Sequence, residues 1–230
     1  LNIEGIFSHF SCASEENDDF SKLQWERFSK IRKEIEKILP DINNIYHFAN
    51  SAAFFRFPHV RLDMVRIGLS LYGLNPYGDR WREWIPEEIR NMISGLKPVL
   101  SLKSRISFIK KTGTGEPISY CGTFKTKTES VIATIPVGYA DGYSRLLSNK
   151  AKVLIGGMEA PVVGNITMDQ FMVDITDIAK VKNVKCGDEA ILIVRSGDKE
   201  ILVEDIARLA GTINYEVVCM ISDRIPRVYK

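Results

Sequence analysis

The sequence predicts an α/β unit followed by a mostly antiparallel β unit. Two textures predict it. Up to about residue 95, strand-like apolar runs alternate with a helical spacing; beyond Pro98, short apolar runs alternate with Gly-rich or acidic turns. The segment from Asn75 to Lys97 carries "NPYGD" and the amphipathic "PEEIRNMI", so the boundary is placed there, giving predicted domains 1–95 and 96–230.

The first strand is the run from Ile3 to Phe10. From Glu15 to Leu39 apolar residues recur at Phe20, Leu23, Phe28, Ile31, Ile35 and Ile38, which predicts one amphipathic helix capped by Ser14 and stopped by Pro40. "NIYHFA" (Asn44 to Ala49) predicts the next strand, Ser51 begins a short helix, and Met64 to Tyr72 is a further apolar run. Three such parallel strands leave unpaired edges, which soluble proteins avoid, so something else must complete the sheet.

In the second half Leu100, Leu102, Ile106 and Phe108 alternate with polar residues. "SVIATI", "AKVLI", "APVVG", "FMVDI" and "EAILIV" follow as short strands. One helix, Val203 to Ala210, is expected before a final strand "NYEVVCMI".

Composition narrows the function. Lys and Arg total 31 against 29 for Asp and Glu, a formal charge of +2 without a basic stripe, so no nucleic-acid partner is expected. Cys12, Cys121, Cys186 and Cys219 show no C-x-x-C spacing, which argues against a zinc ribbon or disulfide framework and for a reducing, cytoplasmic setting. No run reaches the roughly 18–20 apolar residues of a bilayer span, so no membrane segment is evident. The histidines lack metal-ligand spacing; His47 reads as packed inside its strand and His59 as a solvated loop residue.

Two strand ends invite an anion. Asn50 and Ser51 in "HFANSAA" start a helix, where unpaired N–H groups gather, although an ordinary N-cap explains the same residues. In "MVRIGLSLYG" Arg66 is followed by Gly68, whose missing side chain permits close approach to the backbone. Paired phosphate-binding loops of this kind follow the last strands of a β/α barrel, so the first domain is read as the C-terminal part of a TIM-type (β/α)8 barrel. His9, ending the first strand, would face the same pocket or else be half-buried structure. Tyr120 in "PISYCGTF", Tyr139 in "PVGYADGY", and Met168 and Asp169 in "GNITMDQ" fall in turns, where packing or surface roles are the plain alternatives. A phenol ordinarily ionises near pKa 10, so base catalysis by Tyr120 needs positive charge beside it.

Taken in order, "GIFSHF", "HFANSAA", "MVRIGLSLYG", "SLKSRI", "ISYCGTF", "IPVGYADGYSR", "APVVGNITMDQFMVDIT", "INYEV" and "RIPRVY" resemble successive blocks of the alanine racemase family. The resemblance implies a pyridoxal 5′-phosphate enzyme that interconverts L- and D-alanine, supplying D-alanine for peptidoglycan. It implies a homodimer with shared active sites, in which Tyr120 is a catalytic base serving the partner subunit's site. His9 would hydrogen-bond toward that phenol, and Arg66 would link His9 to the cofactor's pyridine nitrogen. Ser51, Gly68, Leu69 and Tyr215 would grip the phosphate with Asn50 orienting the loop. The Met168 amide, with Asp169 beside it, would hold the substrate carboxylate, and Tyr139 and Tyr215 would narrow the entrance. No metal is implied.

Two departures stand out. Cys121 occupies the place after the catalytic tyrosine where the family usually has Gly, and would be strained there if positive φ is required. No lysine here matches the family's cofactor-tethering motif, so that lysine and the family's substrate-binding arginine are expected upstream of Leu1, and the chain is read as the C-terminal part of a longer enzyme. The alternatives are a serine or broad-specificity racemase and a non-catalytic binding or assembly module.

Overall fold

The computed structural model describes residues 3–39, 45–78, 80–196 and 198–229, and the chain forms two compact units, Leu1–Val99 and Leu100–Lys230.

In the N-terminal unit, β1 (Gly5–Phe7), β2 (Ile45–Asn50) and β3 (Met64–Arg66) form a parallel sheet in that order. Helices α1 (Asp19–Ile38) and α2 (Ser51–Arg56) make it a β/α unit. The sheet is open, and no closed barrel is present among the described residues. One sheet face buries Tyr46 and Phe48 against Phe10, Phe28 and the small residues Ala49, Ala52 and Ala53; Phe28 stacks on Phe48 with ring centroids 4.7 Å apart. On the other face Phe7 is 63% exposed, and Ile45 and Met64 are exposed too. Short helices α3 (Trp81–Trp84) and α4 (Glu87–Ser94) seat Trp81 and Ile93 in the same core.

Helix α1 starts later than its spacing predicts, at Asp19 instead of Glu15, with Asp18 and not Ser14 at the cap position. The cause is distant in sequence. Arg56 donates to the carbonyls of Ala13, Glu15 and Glu16, taking acceptors that an earlier helical turn would need. The buried stripe also differs, running through Ser21, Trp25 and Phe28, while Phe20, Ile31 and Ile38 are exposed. Pro40 and Asn44 lie outside the described residues. The run expected to extend to Tyr72 is strand only to Arg66, and Leu69–Tyr72 forms a 3-10 turn.

The C-terminal unit is antiparallel throughout. The strands β4 (Leu102–Arg105), β5 (Phe108–Thr112), β6 (Pro117–Ile118), β7 (Phe124–Lys125), β8 (Ser130–Ile135), β9 (Lys152–Ile155), β10 (Met158–Pro161), β11 (Phe171–Asp174), β12 (Glu189–Ser196) and β13 (Lys199–Ile201) form three sheets. One runs β10-β9-β12-β13 with β4 also on β12, one runs β11-β8-β5, and β6-β7 is a hairpin. Their inward residues, among them Ile132, Ile135, Leu154, Phe171 and Leu192, are fully buried.

Among the described residues three α-helices, not one, accompany these strands: α5 (Thr176–Val181), α6 (Val203–Ala210) and α7 (Asn214–Met220). The segment read as a final strand is α7. Asn214 and Val217 are its buried residues, three apart as one helix face requires, and Gly211, at φ 72°, ends α6 and turns the chain back. A short apolar run does not distinguish strand from helix by itself.

Candidate active site

At the carboxyl end of the parallel sheet, β2 carries one residue more than β3 between pairings: His47 lies opposite Met64 and Asn50 opposite Arg66. This bulge sets Asn50, in place of Ala49, beside Arg66. Arg66 then gathers the site. Its Nη2 donates to Ser8 O at 2.7 Å and approaches His9 Nδ1 at 3.1 Å; its Nη1 lies 2.5 Å from His47 Nδ1. The guanidinium sits 5.0 Å from the Phe7 ring centroid, and Phe7 stacks on His47.

A guanidinium only donates, so both Nδ1 atoms accept and both imidazoles are neutral with the proton on Nε2. Burial first, then the Arg66 charge, lowers both histidines below the ordinary 6.5. His9 Nε2 faces Asn50 Nδ2 at 3.3 Å, but Asn50 Oδ1 already accepts from Ala53 N–H at 3.0 Å. With its Nδ1 facing Arg66, His9 carries its ring proton on Nε2, beside the Asn50 side chain.

Ser51 opens α2 and accepts from Gly68 N–H through its Oγ at 3.1 Å, which leaves the hydroxyl proton to be donated. A Cβ built at Gly68 meets nothing within 4 Å, so the space beside that backbone is open to a ligand. Leu69 is buried and begins the 3-10 turn. Because α2 has only six residues, the anion case rests on Ser51 and open Gly68 more than on a helix dipole. These features suit a phosphate.

The remaining predicted residues belong to the C-terminal unit. Tyr120 stands at the tip of the β6–β7 hairpin with its side chain 74% exposed. Its neighbours are strained: Ser119 has φ 63° and Cys121 φ 62°, both unfavourable for residues with a Cβ. Tyr139 and Met168 come together, since Tyr139 N–H donates to Thr167 O and Ala140 N–H to Met168 O, each at 3.0 Å. Only glycine fits at Gly138, where a Cβ would lie 2.2 Å from Met168 O. Arg224 donates to Asp169 Oδ1 at 2.7 Å and lies 3.5 Å from Asp141. Tyr215 is in the first turn of α7, its phenol pKa raised by burial. Among the described residues no group of three or more His, Cys, Asp or Glu is placed to hold a metal, and no helix is long and apolar enough to cross a membrane.

Comparison with known proteins assigns the family. Residues 1–76 match the model for the N-terminal domain of alanine racemase and residues 99–229 the model for its C-terminal domain. The chain belongs to the alanine racemase family. It is 46% identical over 227 residues to alanine racemase 1 of Clostridium acetobutylicum and 48% identical over 229 to the alanine racemase of Clostridium novyi. These alignments cover 99% and 100% of the chain but 55% and 56% of the relatives. The crystal structure of the Bacillus anthracis alanine racemase with bound L-Ala-P superposes with a TM-score of 0.85 at 37% identity, covering 98% of this chain and 54% of that one. That of Clostridium difficile 630 gives 0.83 at 41% identity, covering 99% and 55%. The chain thus spans about half the length of the alanine racemases it matches.

Within this chain, sequence patterning gives no signal for the contacts of His47 and Arg224. His47 was read as packing because it sits among apolar residues, yet strand alternation separates it from Tyr46 and Phe48 and turns it toward Arg66. Arg224 opens the "RIPRVY" block, but nothing local pairs it with Asp169, 55 positions away.

Proposed function

We propose that this chain carries the phosphate-gripping and phenol-bearing side of a pyridoxal 5′-phosphate-dependent racemase acting on alanine, working in the cytoplasm as a homodimer with shared active sites. The observation that carries the reading is Arg66 wedged between two neutral histidines, 3.1 Å from His9 Nδ1 and 2.5 Å from His47 Nδ1. Ser51, Gly68, Leu69, Asn50 and Tyr215 would hold the phosphate, and Arg66 would face the pyridine nitrogen. When bound, the cofactor supplies the electron sink that acidifies the substrate's α C–H.

Tyr120 holds and moves a proton at its phenol oxygen. The His9 Nε2–H would donate toward that oxygen of the partner subunit's phenol, with the Arg66 charge behind His9. The Met168 backbone, in a loop tied down through Asp169 and Arg224, would hold the substrate carboxylate. Tyr139 and Tyr215 narrow the entrance and favour a small side chain. The tethering lysine and substrate arginine match no residue here and belong, on this reading, to the rest of the relatives' length.

The test is racemisation of enantiopure alanine by the full-length enzyme containing these residues. It should require pyridoxal phosphate and fall by roughly 10²–10⁴-fold in Tyr120→Phe, the range for loss of a positioned acid–base group. Undiminished racemisation by that variant would dismiss the role of Tyr120.

A further inference from the structure

We propose that Asn165 is a positioning residue for Tyr120, setting the backbone from which the phenol projects; the inference rests on Tyr120 being the proton-carrying group. An exposed side chain has few neighbours to aim it, so its direction is fixed by its own backbone. Here that backbone is flanked by Ser119 at φ 63° and Cys121 at φ 62°, conformations that persist only where surrounding contacts impose them.

The contacts converge on one residue. Asn165 is 9% exposed, its Nδ2 donates to Tyr120 O at 2.9 Å, and its backbone O accepts from Ser119 Oγ at 2.7 Å. The strand of chain it belongs to is pressed against the hairpin, since a Cβ at Gly164 would lie 2.6 Å from Ile118 O. A second asparagine braces the far side: Asn149 Oδ1 accepts from Gly164 N–H at 2.6 Å while its Nδ2 donates to Thr123 Oγ1 at 3.1 Å. Ile118, packed with Ile132 and Val163, anchors the base of the hairpin. The loop from 119 to 123 is therefore held from both sides, with the Asn165 amide at Tyr120 itself. A displacement of about 1 Å there is enough to cost a catalytic group much of its effect.

Asn165→Leu keeps the branched shape, is somewhat larger and removes the donor; Asn165→Asp keeps the shape and size and turns an acceptor toward the Tyr120 carbonyl. In the full-length enzyme, amide hydrogen exchange of residues 119–123 should rise in both variants while the β8–β11 pairing stays protected. Exchange of the substrate α hydrogen with solvent deuterium should slow roughly tenfold for the enantiomer served by Tyr120, with KM and the opposite enantiomer changed by less than about twofold. Unchanged amide exchange at 119–123, or equal slowing of both enantiomers, overturns the proposal. Should Asn165→Leu not fold, Ser119→Ala removes one of the same contacts from the hairpin side and is read identically. Tyr120→Phe is run alongside. If it slows both enantiomers equally, the assignment of the phenol fails, and the amide exchange alone decides whether Asn165 holds the loop.

Discussion

Cys121 shows how a single residue bears on the site. At φ 62° and ψ 4° it holds a left-handed conformation that costs a residue with a Cβ about 1–2 kcal/mol, and it does so next to the tyrosine proposed to move a proton. Ser119 on the other side has the same sign of φ, so the strain brackets Tyr120. Glycine adopts this conformation without penalty. Cys121→Gly is expected to raise stability by about 1 kcal/mol, read as a higher urea midpoint at unchanged slope; an unchanged or lower midpoint contradicts a strained Cys121. The departure at this position is legible in the sequence, but the sign of φ is not, because it is set by contacts of the loop with distant chain, such as that of Asn165, 45 residues from Tyr120, with the Tyr120 carbonyl.

Among the elements, the bulged β2 strand decides most. By placing Asn50 opposite Arg66 it assembles a cluster in which two histidines are held neutral around a guanidinium. That has a pH consequence with a definite sign. Both histidines are lowered from 6.5, so between that value and their lowered ones the unfolded chain binds protons that the folded unit does not. The stability they contribute is full above about pH 7 and is lost as pH falls through this window. The urea midpoint of the N-terminal unit should drop between pH 7.5 and pH 5.5, and drop less in His47→Gln; an equal drop in both refutes a neutral, buried role for His47. Periodicity reveals α1 but not its first turn, because Arg56 takes the carbonyls from some 40 residues away. It misreads α7 because a short apolar run does not by itself separate strand from helix, and only burial shows that the inward positions are three apart.

For the molecule as a whole, the division of texture near Pro98 reads directly from the sequence, since helical spacing and strand alternation are local properties. The open parallel sheet, with Phe7, Ile45 and Met64 exposed, shows a surface that the described residues do not cover. What sequence texture could not supply is the network around Arg66 and the clamp around Tyr120, both made by residues far apart in the chain. The proposed chemistry joins them: a guanidinium flanked by two histidines, and a phenol held on a hairpin tip. The most direct measurement is solvent deuterium uptake at the α carbon of each alanine enantiomer by the full-length Tyr120→Phe enzyme. Uptake from one enantiomer should fall by roughly 10²-fold or more while the other keeps most of its rate, because in the proposed reading a second base serves the opposite face. Equal and mild losses from both enantiomers would contradict a catalytic role for Tyr120.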